Sequence, residues 1–187
     1  PAQQLHAQVK QAEQGKAQGA DAGALHKKGL ERQMAAIDKL NKQIAGITIL
    51  KGAEVNIRKD GTLDIEDATL AKLDVVGASV HSALRMSKKA MTERLKRVTE
   101  NPHVDILFHP TGRLIQKRKA SEVDIEELAR TAKKTGTLLE ANAFPVRLDL
   151  KDTRIRKELE LGARLVIDSD EHSVCHIGFL RYGITQA

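Results

Sequence analysis

Five short apolar runs, spaced by stretches of helical periodicity, constrain this chain more than any other feature. The runs are ITIL (47–50), DVVGASV (74–80), VDILF (104–108), TLLEA (137–141) and ARLVI (163–167). Before the first, Leu30, Met34, Ile37, Leu40 and Ile44 share one helical face, and Gly46 is placed to end that helix. Ser87 can cap a second helix, in which Met91, Leu95 and Val98 align. Ser121 opens a third, with Ile125, Leu128, Ala129 and Ala132 aligned before Gly136, and Asp152 starts a fourth that runs through Leu159. Strands buried on both faces read as unbroken apolar runs, and helical crossovers are what parallel pairing requires. The expected fold class is α/β, with a largely parallel sheet or barrel. Aromatic residues are only 2% of the chain, so its core must be built from Leu, Ile, Val and Ala. Residues 1–26 are rich in Ala, Gln and Gly and bury little, which marks them as a low-complexity extension or linker ahead of a single domain at 27–187.

Each apolar run delivers a metal-competent side chain near its carboxyl end. ITILKGAEVNI carries Glu54, VVGASVHS ends in His81, DILFHP ends in His109, TLLEANA places Glu140 and Asn142, and LVIDSDEH places Asp170 and His172. In parallel α/β folds the strand termini and following loops converge on one face, where ligand sites assemble. Taken one at a time these residues are ordinary: a loop histidine before a proline, an exposed carboxylate. Five in succession point to a shared site. The DSDEHS segment (168–173) adds a further reason, because its crowded carboxylates repel unless it is a solvated loop or a cation sits among them. Imidazole with carboxylate suits Zn²⁺ or Mn²⁺, and without a thiolate set an open, catalytic site is expected rather than a structural one.

The formal net charge is +6, and the basic residues bunch in RMSKKAMTERLKR (85–97) and GRLIQKRK (112–119). The first is equally a solvated helix face; the second, following HP, is the better candidate for a polyanionic partner. Cys175 is the single cysteine, which excludes an internal disulfide and fits a reducing cytoplasm. No apolar stretch approaches membrane-spanning length, so no membrane partner is expected.

The motifs GAEVNIRKDGTLD, VVGASVHS, NPHVDILFHPTGRLI, EANAFPVRLDL and DSDEHS resemble those of the polymerase and histidinol phosphatase (PHP) domain, and specifically the one at the C-terminus of bacterial and archaeal family X DNA polymerases. The resemblance implies a distorted (β/α)7 TIM-like barrel with up to three divalent ions at the carboxyl ends of its strands. By that likeness Glu54 bridges two ions, His81 and His109 complete the site of one, Asp170 belongs to the other, and His172 to the third. Arg113 and Arg147 are implied to hold phosphate, with Arg113 also countering charge in the transition state, and the basic cluster that follows, Lys117, Arg118 and Lys119, is the candidate to meet DNA. The implied function is a metal-dependent phosphoesterase acting on DNA ends, by 3′–5′ exonuclease or 3′-end processing, as the module of a repair polymerase whose polymerase domain lies in the same or a longer chain. A small-molecule phosphatase of the histidinol- or sugar-phosphate type, and a catalytically silent DNA-binding or scaffolding module, are the alternatives. The His-x-His and Thr-Asp-His motifs of the first two strands of a complete PHP domain are not found. About five of seven strands are therefore expected, and an open arc of five would expose edges that favour self-association.

Overall fold

A computed structural model describes residues 20–187, with side chains from Lys27 onward. It is an α/β structure whose strands form a five-stranded sheet in the order β1-β2-β3-β4-β5, flanked by helices. The strands are β1 (Gly52–Asn56), β2 (Val75–Ser79), β3 (Ile106–Leu107), β4 (Leu138–Asn142) and β5 (Leu165–Asp168). The β2–β3, β3–β4 and β4–β5 pairings are parallel, as the alternation of apolar runs and helices requires.

The described residues fall into two units. The first comprises residues up to 53 together with 65–75, and holds α1 (Ala20–Asn41) and the single turn α2 (Asp67–Leu70). Among its described residues Leu30, Met34, Thr69 and Leu70 are buried. Residues 20–26, expected in the extension, belong to the backbone of α1, and residues 1–19 lie outside the described residues. Two further expectations fail here for one reason. The Asn41 side chain donates to the Ile49 carbonyl and accepts the Ile49 N–H, both at 2.8 Å. That pair of bonds ends the helix at Asn41 rather than at Gly46 and occupies the backbone that ITIL would need to form a strand. Ile44, Ile47 and Leu50 are accordingly exposed, and the first strand begins later, at Gly52.

The second unit, residues 54–64 and 76–187, carries the other helices: α3 (Lys88–Thr99), α4 (Ile125–Thr135), α5 (Asp152–Glu160), a 3₁₀ turn (Val174–Phe179) and α6 (Leu180–Gln186). Ser87 caps α3 by accepting from the Ala90 N–H at 3.3 Å, and Met91, Leu95 and Val98 are buried along one face, as their spacing predicts. Between them Arg94 is also buried. Its guanidinium donates to the carbonyls of Arg58, Ser82 and Ile57, tying the residues that follow β1 to those that follow β2. Helix α4 starts later than expected: Asp124 is its cap, accepting from the Glu127 N–H at 3.2 Å. Ser121 is spent elsewhere, bonding the carbonyls of Thr111 and Leu84. Gly136, at φ 87°, ends α4 as the sequence indicates. Ala141, Leu150 and Ile155 form a packed cluster with Ile125, Leu165 and Ile167, joining α5 to the sheet. Among the described residues no helix is long and apolar enough to cross a membrane.

Gly77, central in β2, packs directly against Phe108, and a β-carbon there would fall 1.9 Å from a carbon of that ring. Gly77→Ala is expected to destabilise the fold by about 1–3 kcal/mol through overpacking. A lower midpoint in urea unfolding checks this; an unchanged midpoint contradicts the contact.

Candidate metal centre

The site is assembled from three neighbouring strands. Glu54 lies within β1, while His81 and His109 each follow the last residue of their strand by two positions. The structure gathers these three as one group whose ligand atoms lie within 4.8 Å of one another. Glu54 Oε1 is 3.3 Å from His81 Nε2 and 3.2 Å from His109 Nε2, and it accepts the Ser79 hydroxyl at 2.6 Å. Burial alone would raise the Glu54 carboxyl. The bonds from His109, His81 and Ser79 outweigh that and hold it well below the usual carboxylate range. Glu54 is thus an anion facing two imidazoles.

Two residues absent from the sequence-level site prepare it. His81 Nδ1 is 2.7 Å from Asn56 Oδ1, and an amide oxygen only accepts, so Nδ1 carries a hydrogen and Nε2 is the nitrogen turned toward Glu54. Asn56 is itself fixed by Asp64, which accepts from the Asn56 side chain at 2.6 Å and from its backbone N–H at 2.9 Å. The available signal was spacing. Glu54 and Asn56 are two apart in a strand, as are Ser79 and His81 at the end of the next, and residues two apart share a face. His109 is 4% exposed, and its Nδ1 has no hydrogen-bond partner among the described residues. Two imidazole nitrogens and one carboxylate oxygen, one imidazole already oriented through its far nitrogen, fit a divalent ion such as zinc or manganese.

Asp170 and His172 are not part of that group. Asp170 instead pairs with Arg147, Nε to Oδ2 at 2.8 Å, so Arg147 does not make the ion pair with Asp149 that its sequence neighbourhood suggests. His172 is exposed, its Nδ1 2.9 Å from the Asp170 carbonyl and 3.9 Å from the Asp170 carboxylate. Buried Glu140 and half-buried Asp168 form a further pair. Burial first, and then the adjacent Asp168 carboxylate, push the Glu140 carboxyl well up. Arg113 turns onto backbone, its guanidinium donating to the carbonyls of Arg147 and Leu148. Arg118 donates to the Gly112 carbonyl at 2.6 Å across a tight turn in which Leu114 and Arg118 pair, leaving Lys117 and Lys119 exposed. Burial, with the nearby Arg147 guanidinium, lowers Arg118, which places two of the candidate phosphate-binding cations within electrostatic reach of each other.

No family model matches the chain. Among curated proteins it is 43% identical over 166 residues to the DNA polymerase/3′-5′ exonuclease PolX of Bacillus subtilis, an alignment covering 89% of this chain and 29% of that protein. It is also 31% identical over 153 residues to a probable phosphatase of Thermoanaerobacter sp. (strain X514), covering 74% of this chain and 58% of the relative. A probable phosphatase of Acetivibrio thermocellus is 33% identical over 141 residues, covering 71% and 56%. The chain has phosphatase and exonuclease-polymerase relatives. It spans under a third of the Bacillus protein and somewhat over half of each phosphatase.

Proposed function

We propose that this chain is a PHP-type domain, five strands of a (β/α)7 barrel, that hydrolyses phosphoesters at DNA ends using a zinc or manganese ion held by Glu54, His81 and His109. The convergence of three ligand atoms from three adjacent strands carries this reading. The similarity to PolX, whose name includes a 3′-5′ exonuclease, favours DNA as the substrate. When bound, such an ion supplies Lewis acidity toward a phosphoryl oxygen. The chain's own residues do the rest. Asn56 keeps a hydrogen on His81 Nδ1, which would leave Nε2 to ligate, and the anionic Glu54 would balance the charge of the ion. Arg147, with one guanidinium nitrogen buried and without a hydrogen-bond partner among the described residues, and Arg113 beside it are suited to countering phosphate charge. Exposed Lys117 and Lys119, with Arg118 between them, extend a positive surface along which a strand can lie. Asp170 and His172 are assigned to further ions, which additional ligands would have to complete.

The probable phosphatases among the relatives support a second substrate class, small phosphate esters. Parallel assays of 3′-end release from single-stranded DNA and of hydrolysis of p-nitrophenyl phosphate, both with added Mn²⁺, separate the two. DNA trimming that exceeds phosphatase turnover is expected, and both should disappear in Glu54→Gln; the reverse preference would favour the small-ester reading. If DNA is the partner, binding weakens steeply with salt, and replacing Lys117, Arg118 and Lys119 by Ala reduces the log–log slope by about 0.7 per lost phosphate contact on single strands. An unchanged slope removes this turn from the interface. We also propose that strands β1 and β5, at the edges of the sheet, promote self-association; a monodisperse monomer in light scattering would contradict it.

A further inference from the structure

The turn His109–Arg113, sequence HPTGR, carries the buried histidine of the site in an unusual backbone state. His109 has φ 28°, which a residue with a β-carbon adopts only when its surroundings impose it. The N–H groups of the turn show what imposes it. That of His109 goes to Glu140 Oε2, whose other oxygen accepts from the Asn142 side chain at 3.1 Å. Those of Thr111 and Arg113 both go to Asp149 Oδ2, at 3.1 and 3.2 Å, while the Thr111 hydroxyl donates to Asp149 Oδ1 at 2.6 Å. Pro110 has no N–H, and that of Gly112 closes the turn on the His109 carbonyl at 2.8 Å. Three of the four N–H groups therefore end on two carboxylates, Glu140 and Asp149, which are 2% and 1% exposed. Neither carboxylate belongs to the group that gathers around Glu54.

We propose that Asp149, with Glu140, is a positioning residue of the metal centre: the two buried carboxylates grip the HPTGR turn by its backbone and thereby aim His109 Nε2 at Glu54. This rests on the reading of Glu54, His81 and His109 as metal ligands. Asp149 is the better residue to test, because it holds the turn at three points and its amide counterpart can replace it. In Asp149→Asn the amide oxygen can take both N–H groups while its NH₂ donates to the Thr111 hydroxyl, which is able to reverse its role. Asp149→Ala can do neither.

The experiment is zinc titration by competition with a chromophoric chelator, alongside thermal unfolding of the metal-free proteins. Asp149→Ala is expected to weaken zinc binding about 10–100-fold, as loss of the groups that orient a ligand typically does. Asp149→Asn is expected to restore binding to within about threefold of wild type by the rearrangement just described. Thr111→Val, which removes one of the three bonds while keeping a side chain of nearly the same shape, serves if Asp149→Ala does not fold, and should weaken zinc measurably. A folded Asp149→Ala, or in its place Thr111→Val, that binds zinc as tightly as wild type overturns the inference, as does an Asp149→Asn protein as impaired as Asp149→Ala. If wild type itself binds no zinc, the metal-site reading falls and this inference falls with it. That outcome differs from the others because it shows in the wild-type titration alone.

Discussion

His81→Ala and Glu54→Gln are each expected to lower zinc affinity by more than about 100-fold, whereas Asn56→Ala lowers it about tenfold, within the range seen when a group orienting a ligand is removed. The ranking follows from geometry. His81 Nε2 and Glu54 Oε1, 3.3 Å apart, are two of the three atoms that would touch the ion. Asn56 touches only the opposite nitrogen of His81, so its loss frees the ring to rotate and to change tautomer without removing a donor. His172→Ala should leave this binding largely intact, since His172 is exposed and directed at Asp170. Affinity should also fall in acid, because protons compete for the imidazole nitrogens. Competition titrations with a zinc chelator test the whole ranking. A His172→Ala loss larger than that of His81→Ala would mean that the ion is centred on the DSDEHS segment instead.

The second large effect concerns stability. Glu158, on α5, is fully buried, and neither carboxylate oxygen has a hydrogen-bond partner among the described residues. Burial, and next the neighbouring Asp149, push it up to about 8, which Arg154 one turn earlier opposes without overcoming. A group whose pKa is raised in the folded state contributes stability that is fully present below its unfolded value and is lost as pH rises toward the folded one. For Glu158 that window runs from about pH 4.5 to about 8, at up to about 1.4 kcal/mol per pH unit, so roughly 3–5 kcal/mol in total. Glu158→Leu removes the titrating group and keeps an apolar side chain of similar size. Urea unfolding across this range should show wild type losing stability relative to the variant as pH rises, with the variant the more stable by a few kcal/mol at the alkaline end. Burial likewise raises Glu140 and Asp168, but both are present in the two proteins, so the difference isolates Glu158. A variant less stable than wild type at about pH 8 would mean that the carboxylate has a partner in solution.

Much of this fold is legible in the sequence, and the reason is periodicity. Met91, Leu95 and Val98 had to share a buried face once α3 was helical, and the apolar runs had to pair in parallel once helices separated them. That Glu54, His81 and His109 come together was legible because strands in such a sheet deliver their termini to one side. What escaped was set by side chains bonding to distant backbone, which leaves no periodic trace. Asn41 captures Ile49 and converts an apolar run into an exposed loop. Asp124, rather than Ser121, caps α4 because Ser121 is held by Leu84 and Thr111. Asp149 reads in sequence as an ion-pair partner for Arg147, yet its oxygens take bonds from Thr111 and Arg113, while Arg147 turns to Asp170. Glu158 gave no warning at all, since a glutamate in an amphipathic helix is ordinarily on the wet side.

The most direct measurement is the metal content of the folded protein purified without chelator, by elemental analysis of wild type and His81→Ala side by side. One equivalent of zinc or manganese in wild type, absent from a folded His81→Ala, is the result expected of an ion held by Glu54, His81 and His109. Wild type that is folded and metal-free, and that takes up neither ion when it is supplied, would contradict it.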